Sequence, residues 1–226
     1  MSAPVATPAR AELPRTLGDA VRVFYRHASP RILTAIVAVA LAARLWLGDL
    51  GWIDLAPLAV LVAFWPIQEW LIHVFILHYR PVRFAGRTWD FRVPRKHRAH
   101  HADPWRLDLL FIPTHVFLYG LPLHALFWLG VMPTPGLALS GLAAYFVLAL
   151  HYEWVHYLAH VHYTPALGYY QERVKNHRRH HFKNERYWYG VTMTAGDRLL
   201  RTRPPVDAVQ ISPTARSLLG APAKVG

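Results

Sequence analysis

Two short stretches, HRAHH and HRRHH, set His97, His100 and His101, and then His177, His180 and His181, in the same HxxHH spacing eighty residues apart. On an α-helix, offsets of three and four residues fall about 300° and 400° round the axis, so each trio fans over only about 100° of one face. Each fan can aim its three imidazoles the same way, and the intervening Arg98, Arg178 and Arg179 are expected on the opposite side, toward water or lipid phosphates. His156 and His160, in HYLAH, lie one turn apart and within reach of one metal ion. His73 and His78, in HVFILH, are five apart, about 140° on a regular helix. That spacing predicts either two different ions or a local loosening of the helix, for which Pro66 and Pro81 are near enough.

Ten imidazoles are more than one ion can use, whereas five on each of two ions leave a position open for oxygen or a bridging group. The arithmetic favours a dinuclear centre. The chain has no Cys, so thiolate and iron-sulfur chemistry are excluded and the donors must be N and O. Neutral imidazole suits Fe, Cu, Zn and Ni alike, and spacing does not choose among them. The zinc-protease signature HExxH is absent, because Tyr157 follows His156. A carboxylate-rich di-iron bundle is excluded too, since the ExxH spacing of Glu153 and His156 occurs only once. Glu69 and Glu153 stand one turn before His73 and His156, where each can accept an imidazole N–H and fix its tautomer; Asp103, Asp108 and Asn184 are looser candidates for the same role. The other five histidines, His27, His115, His124, His151 and His162, are expected to be ordinary hydrogen-bonded side chains.

The elements that must hold these residues read as membrane helices. Of 226 residues 54% are apolar, with nine Trp, and four stretches approach the roughly 20 residues that cross a hydrocarbon core about 30 Å thick. They are Ile32 to Leu47, Leu55 to Leu77, Leu109 to Val131 and Leu137 to Val155, the first carrying Arg44 near its end, where it is expected to snorkel. Segments 1–31, 78–106 and 173–226 hold 24 of the 25 Lys and Arg residues, and the connections Gly48 to Asp54 and Met132 to Gly136 hold none. An even number of spans puts the three basic segments, both termini and the histidines on one face, which the positive-inside rule makes cytoplasmic. The net charge of +12 is thereby explained without nucleic acid. The expected fold is an all-α integral membrane bundle of about four transmembrane helices with a cytoplasmic helical cap carrying the histidines. Residues 1–31 form a basic N-terminal segment with an interfacial helix near Ala20 to Arg26, 32–203 the membrane domain, and 204–226, rich in Pro, Ala and Ser, a disordered tail.

HVFILH, HRAHH, HYLAH and HRRHH, in that order, resemble the histidine boxes of the fatty acid hydroxylase and sterol desaturase superfamily. The likeness runs from about Glu69 to Thr202. EWLIHVFILHY and HHFKNERYWYGVT, the latter followed by Asp197, are similar to the first and last boxes of fatty acid 2-hydroxylases. The resemblance implies a membrane di-iron enzyme that uses O2 and external electrons to hydroxylate a fatty acyl chain of a membrane lipid, with His73, His78, His97, His100, His101, His156, His160, His177, His180 and His181 holding two Fe ions that zinc can replace in purified protein. A desaturase or carotenoid hydroxylase of the same superfamily is the alternative. Some members carry a fused haem domain; the sequence contains no HPGG haem motif, so a separate ferredoxin or cytochrome b5-like donor is expected. An alkyl C–H bond has no useful acidity, so an oxidised metal centre, not a protein base, must break it. A reading from another class, a metal transporter or metal-binding membrane protein, fits less well, because transport sites lie near the bilayer midplane and these histidines collect at one face.

Overall fold

The computed structural model describes residues 12–218; the first eleven residues of the basic N-terminal segment and the last eight of the tail lie outside that range. In chain order the elements are α1 (Leu17–Phe24), α2 (Ala28–Leu47), α3 (Leu55–Leu71), which continues as a π-helical turn (Ile72–Leu77), a hairpin of β1 (Val82–Phe84) and β2 (Arg87–Trp89), α4 (Arg92–Ala102), α5 (Thr114–Val131), α6 (Pro135–Ala159), α7 (Gly168–Phe182) and α8 (Ala195–Leu199). Among the described residues four stretches are long and apolar enough to cross a membrane: Ala28–Leu47, Trp52–Leu77, Leu107–Val131 and Pro135–Ala159. They are the four expected spans, each begun a few residues earlier. The described residues are mostly helical, as expected, and the short hairpin is a small exception. Its turn residues, Ala85 and Gly86, both take positive φ (50° and 74°), as a two-residue turn matched to strand twist requires.

Contacts divide the chain into two compact units. One comprises residues 22–65 and 111–154. Leu118, Leu123, Leu126 and Phe127 of α5, and Val39 and Phe64, are exposed although apolar, the pattern of helices solvated by lipid. Close helix contact depends on Gly141 of α6, where a Cβ would lie 2.3 Å from the Trp128 ring of α5. Arg44 does not snorkel. It is 4% exposed, with Nε 2.6 Å from Asp54 Oδ1 and Nη1 2.6 Å from Asp49 Oδ1. The two carboxylates of the α2–α3 connection neutralise it in place, because a buried guanidinium left unpaired is strongly destabilising.

The other unit comprises residues up to 21, 66–110 and 155 onward, and so holds the ends of α3 and α6, the hairpin, α4, α7, α8 and the segment after it. Two arginines expected to face water or lipid phosphates are instead braces of this unit. Arg98 is buried, donating to the Tyr79 carbonyl at 2.9 Å and to Asp90 at 2.5 Å. Arg178 is half-buried and donates to the Ala159 and Val161 carbonyls at 2.8 and 2.9 Å, satisfying acceptors that the end of α6 leaves open. Residues 204–218, expected to be a disordered tail, are packed. Val209, Thr214, Ala215 and Leu218 are buried, Ser212 N–H donates to the Lys183 carbonyl at 2.7 Å, and Arg216 donates to the carbonyls of His101 and Ala102. The segment lacks helix or strand, but its polar backbone finds partners on the ends of α4 and α7.

Candidate metal centre

All ten histidines of the four boxes fall in the second unit, and they separate into two groups of five. His73, His78, His97, His101 and His180 form the first; His100, His156, His160, His177 and His181 form the second. Within each, one ring nitrogen per residue lies within 4.8 Å of all the others. The division cuts across the HxxHH trios. The i,i+4 pair His97/His101 of α4 goes to the first group and His100 to the second, whereas on α7 the pair His177/His181 goes to the second and His180 to the first. A pair from the end of a long apolar helix completes each set: His73/His78 from α3, His156/His160 from α6. Each trio therefore fans over one face, as its spacing predicts, but straddles two sites where a single common direction was expected. The groups adjoin, for the rings of His101 and His181 are stacked with centroids 4.0 Å apart.

The awkward spacing of His73 and His78 is resolved by the π-helical turn. His78 N–H donates to the His73 carbonyl at 3.0 Å, an i to i+5 bond that turns residues five apart onto one face. Of the two readings left open by the sequence, the helix loosens, and both residues join one group.

Three imidazoles of the first group are oriented by backbone carbonyls. Nδ1 of His73 donates to Tyr189 O at 2.7 Å, Nδ1 of His101 to Ala215 O at 2.8 Å and Nδ1 of His180 to Tyr187 O at 2.8 Å, which leaves each Nε2 to present its lone pair. The loop that supplies two of these carbonyls is itself clamped. Glu69 accepts the N–H groups of Val191 and Thr192 at 2.8 Å each and the Thr192 hydroxyl at 3.0 Å. Asp197 accepts Tyr189 N–H at 3.0 Å and Gly190 N–H at 2.7 Å. Gly190 is required here, since a Cβ would lie 2.2 Å from Met193 O.

These bonds revise the expected carboxylate roles. Glu69 accepts no imidazole N–H among the described residues; it grips the loop that does. Glu153 Oε1 accepts Ser29 Oγ at 2.6 Å and Ile112 N–H at 2.7 Å, within the first unit described. Asp103 is exposed at the end of α4. Asp108 pairs with Arg106 at 3.0 Å. Asn184 orders the turn after α7, accepting Arg186 N–H at 3.0 Å and donating to Gln210 O at 3.2 Å. Trp188 is buried and the half-buried Trp70 donates to Thr202 Oγ1 at 2.9 Å. Sequence reasoning missed the carbonyls of Tyr187, Tyr189 and Ala215, which no side-chain identity could mark. Asp197 was visible only as part of the resemblance.

The donor set fits transition-metal ions. Burial, reinforced by neighbouring imidazoles, holds His78, His97, His100, His160, His177, His180 and His181 well below their ordinary pKa, and burial takes His101 down to about 3. The rings are thus neutral and their lone pairs available at pH 7. Buried Nε2 atoms of His73, His97, His101 and His177 have no hydrogen-bond partner among the described residues, a rare state for buried polar atoms that hold no ion. His100 Nε2 lies 3.1 Å from His181 Nε2 and 3.2 Å from His156 Nε2, and His78 and His180 Nε2 are 3.2 Å apart. Two donors about 2.1 Å from one ion at right angles are about 3 Å apart. Among the described residues the remaining five histidines join neither group; His124 Nδ1, for example, is hydrogen-bonded to Gly120 O at 2.8 Å.

Residues 58–202 match the family model for fatty acid hydroxylases. The chain belongs to the fatty acid hydroxylase family. Among curated relatives it is 28% identical over 156 residues to dihydroceramide fatty acyl 2-hydroxylase FAH2 of Arabidopsis thaliana, covering 67% of this chain and 63% of that one. It is 26% identical over 159 residues to FAH1, described in the same terms and from the same plant, covering 69% and 64%. The chain thus spans a little under two thirds of these relatives' length. Among solved structures, the hydroxylase domain of Scs7p superposes with a TM-score of 0.60 at 21% identity over 80% of this chain and 66% of that one, a likeness of fold. The family match contains all ten grouped histidines together with Glu69 and Asp197.

Proposed function

We propose that this fatty acid hydroxylase family member is an O2-dependent di-iron mono-oxygenase that hydroxylates a fatty acyl chain of a membrane lipid. The observation that carries the reading is the separation of ten imidazoles, nine of them buried and His78 half-buried, into two adjoining groups of five, each suited to one Fe. The 2-hydroxylase relatives support carbon 2 of the acyl chain as the position. The balance is one C–H bond and O2, with two electrons and two protons, giving one C–OH bond and one water. Bound iron would supply the oxidising power; the chain's residues orient the donors and, by burying them, exclude water. The uneven Lys and Arg distribution supports a cytoplasmic position for the histidines and both termini, and the same basic face suits a ferredoxin or cytochrome b5-like electron donor.

The test is reconstitution of the iron-loaded protein in lipid nanodiscs with a ferredoxin, its reductase and 18O2. The reading predicts a lipid acyl product carrying one 18O. Iron-loaded protein that consumes no O2 with any acyl lipid, with reduction by the ferredoxin verified, contradicts it.

A further inference from the structure

The imidazole of His73 is joined through a single peptide group to a buried carboxylate. Its Nδ1 donates to Tyr189 O at 2.7 Å, and the N–H of that same peptide, on Gly190, donates to Asp197 Oδ2 at 2.7 Å. The C=O and N–H of one peptide are ends of one conjugated, planar unit. A carboxylate on the N–H end therefore makes the carbonyl a stronger acceptor, and consecutive hydrogen bonds reinforce one another at low dielectric. His73 and Asp197 are 1% and 0% exposed. The other Asp197 oxygen accepts Tyr189 N–H at 3.0 Å and the Thr202 hydroxyl at 2.7 Å, and no ion pair engages the carboxylate among the described residues. The chain behind His180 has the same first link and a neutral end: Tyr187 O accepts from Nδ1, and the Trp188 N–H of that peptide donates to Thr202 O at 2.8 Å.

We propose that Asp197 is a positioning residue of the first histidine group, acting on His73 through the Tyr189–Gly190 peptide. It fixes His73 as the Nδ1–H tautomer and strengthens the Nε2 lone pair offered to the ion. Carboxylates commonly contact a ligand histidine directly; here a peptide group stands between the two. The proposal rests on the reading of the two groups as metal sites.

The test uses the full chain in nanodiscs with 15N-labelled histidine. In the metal-free wild type, the Nδ1–H proton of His73, assigned by loss in His73→Gln, is expected further downfield than that of His180. In Asp197→Asn it moves upfield and exchanges faster, while that of His180 stays. Titration with Co(II) is expected to show two affinities, of which Asp197→Asn weakens one by about tenfold or more and leaves the other. Glu69→Gln, which loosens the same loop at 191–193 without touching the Tyr189–Gly190 peptide, should lower the melting temperature and weaken the first affinity less than Asp197→Asn does, with the His73 Nδ1–H resonance unmoved. Equal weakening of both affinities by Asp197→Asn, or an unmoved His73 resonance, overturns the proposal. Should Asp197→Asn fail to fold, a wild-type His73 proton no further downfield than that of His180 overturns it equally. A wild type that binds no Co(II) defeats the metal reading instead, and the metal-free resonances still decide the relay.

Discussion

In the first histidine group, three of five imidazoles are steered by carbonyls from irregular backbone, at Tyr187, Tyr189 and Ala215. In the second, four of five sit on regular helix as i,i+4 pairs, or at its end, with α6 closed by the Arg178 guanidinium. The composition is reciprocal, each group taking the pair from one HxxHH helix and the single residue from the other. The means of support is not. Helix geometry carries most of the second group, with His160 also beside the Pro104 carbonyl, whereas the first depends on a π-turn, a clamped loop and the chain's C-terminal segment. Two chemically similar sites can thus differ in what disturbs them.

The largest expected effect separates neighbours in sequence. His180→Ala should remove the ion of the first group and His181→Ala that of the second, each leaving about one ion per chain by elemental analysis and no hydroxylated lipid. If both variants lose the same ion, the division into fives is wrong. Next, Gly190→Ala must push a Cβ against Met193 O and so displace the Tyr189 carbonyl. It should weaken the first group by about tenfold or more, the range seen when a ligand histidine loses its support, with the second group unchanged in the same Co(II) titration.

Smaller effects test the two outer braces. Arg216→Ala releases the segment whose Ala215 carbonyl orients His101, and should weaken the first group several-fold. Arg178→Ala removes two bonds to carbonyls at the end of α6, each such charged bond contributing about 1.5–3 kcal/mol when buried and less at this half-buried site. It should lower the melting temperature by a few degrees and act on the second group in preference to the first. Reversal of the two preferences would erase the distinction between loop support and helix support.

Much of this was legible in the histidines themselves. Residue type, periodicity and the even count of apolar stretches marked all four spans and all ten grouped side chains, because helix spacing is a local property. The assignment of His100 and His180 to the group opposite their neighbours was not legible, since it depends on how α4 and α7 face one another. Carbonyl support was invisible for a different reason: every residue has a carbonyl. Composition misled at two places. The Pro-, Ala- and Ser-rich segment 204–218 reads as unstructured, yet its backbone is satisfied by contacts more than a hundred residues away in sequence, such as Ala215 with His101. Arg98 and Arg178 read as a solvated face, yet each answers buried acceptors that only the folded chain brings near.

We propose that ten histidines hold two ions in two groups of five, divided across both HxxHH helices. An anomalous-difference map at the iron edge from crystals of the anaerobically iron-loaded protein tests it most directly. Two peaks are predicted, one among His73, His78, His97, His101 and His180 and one among His100, His156, His160, His177 and His181. A single peak, or two peaks each enclosed by one intact HxxHH trio, would contradict it.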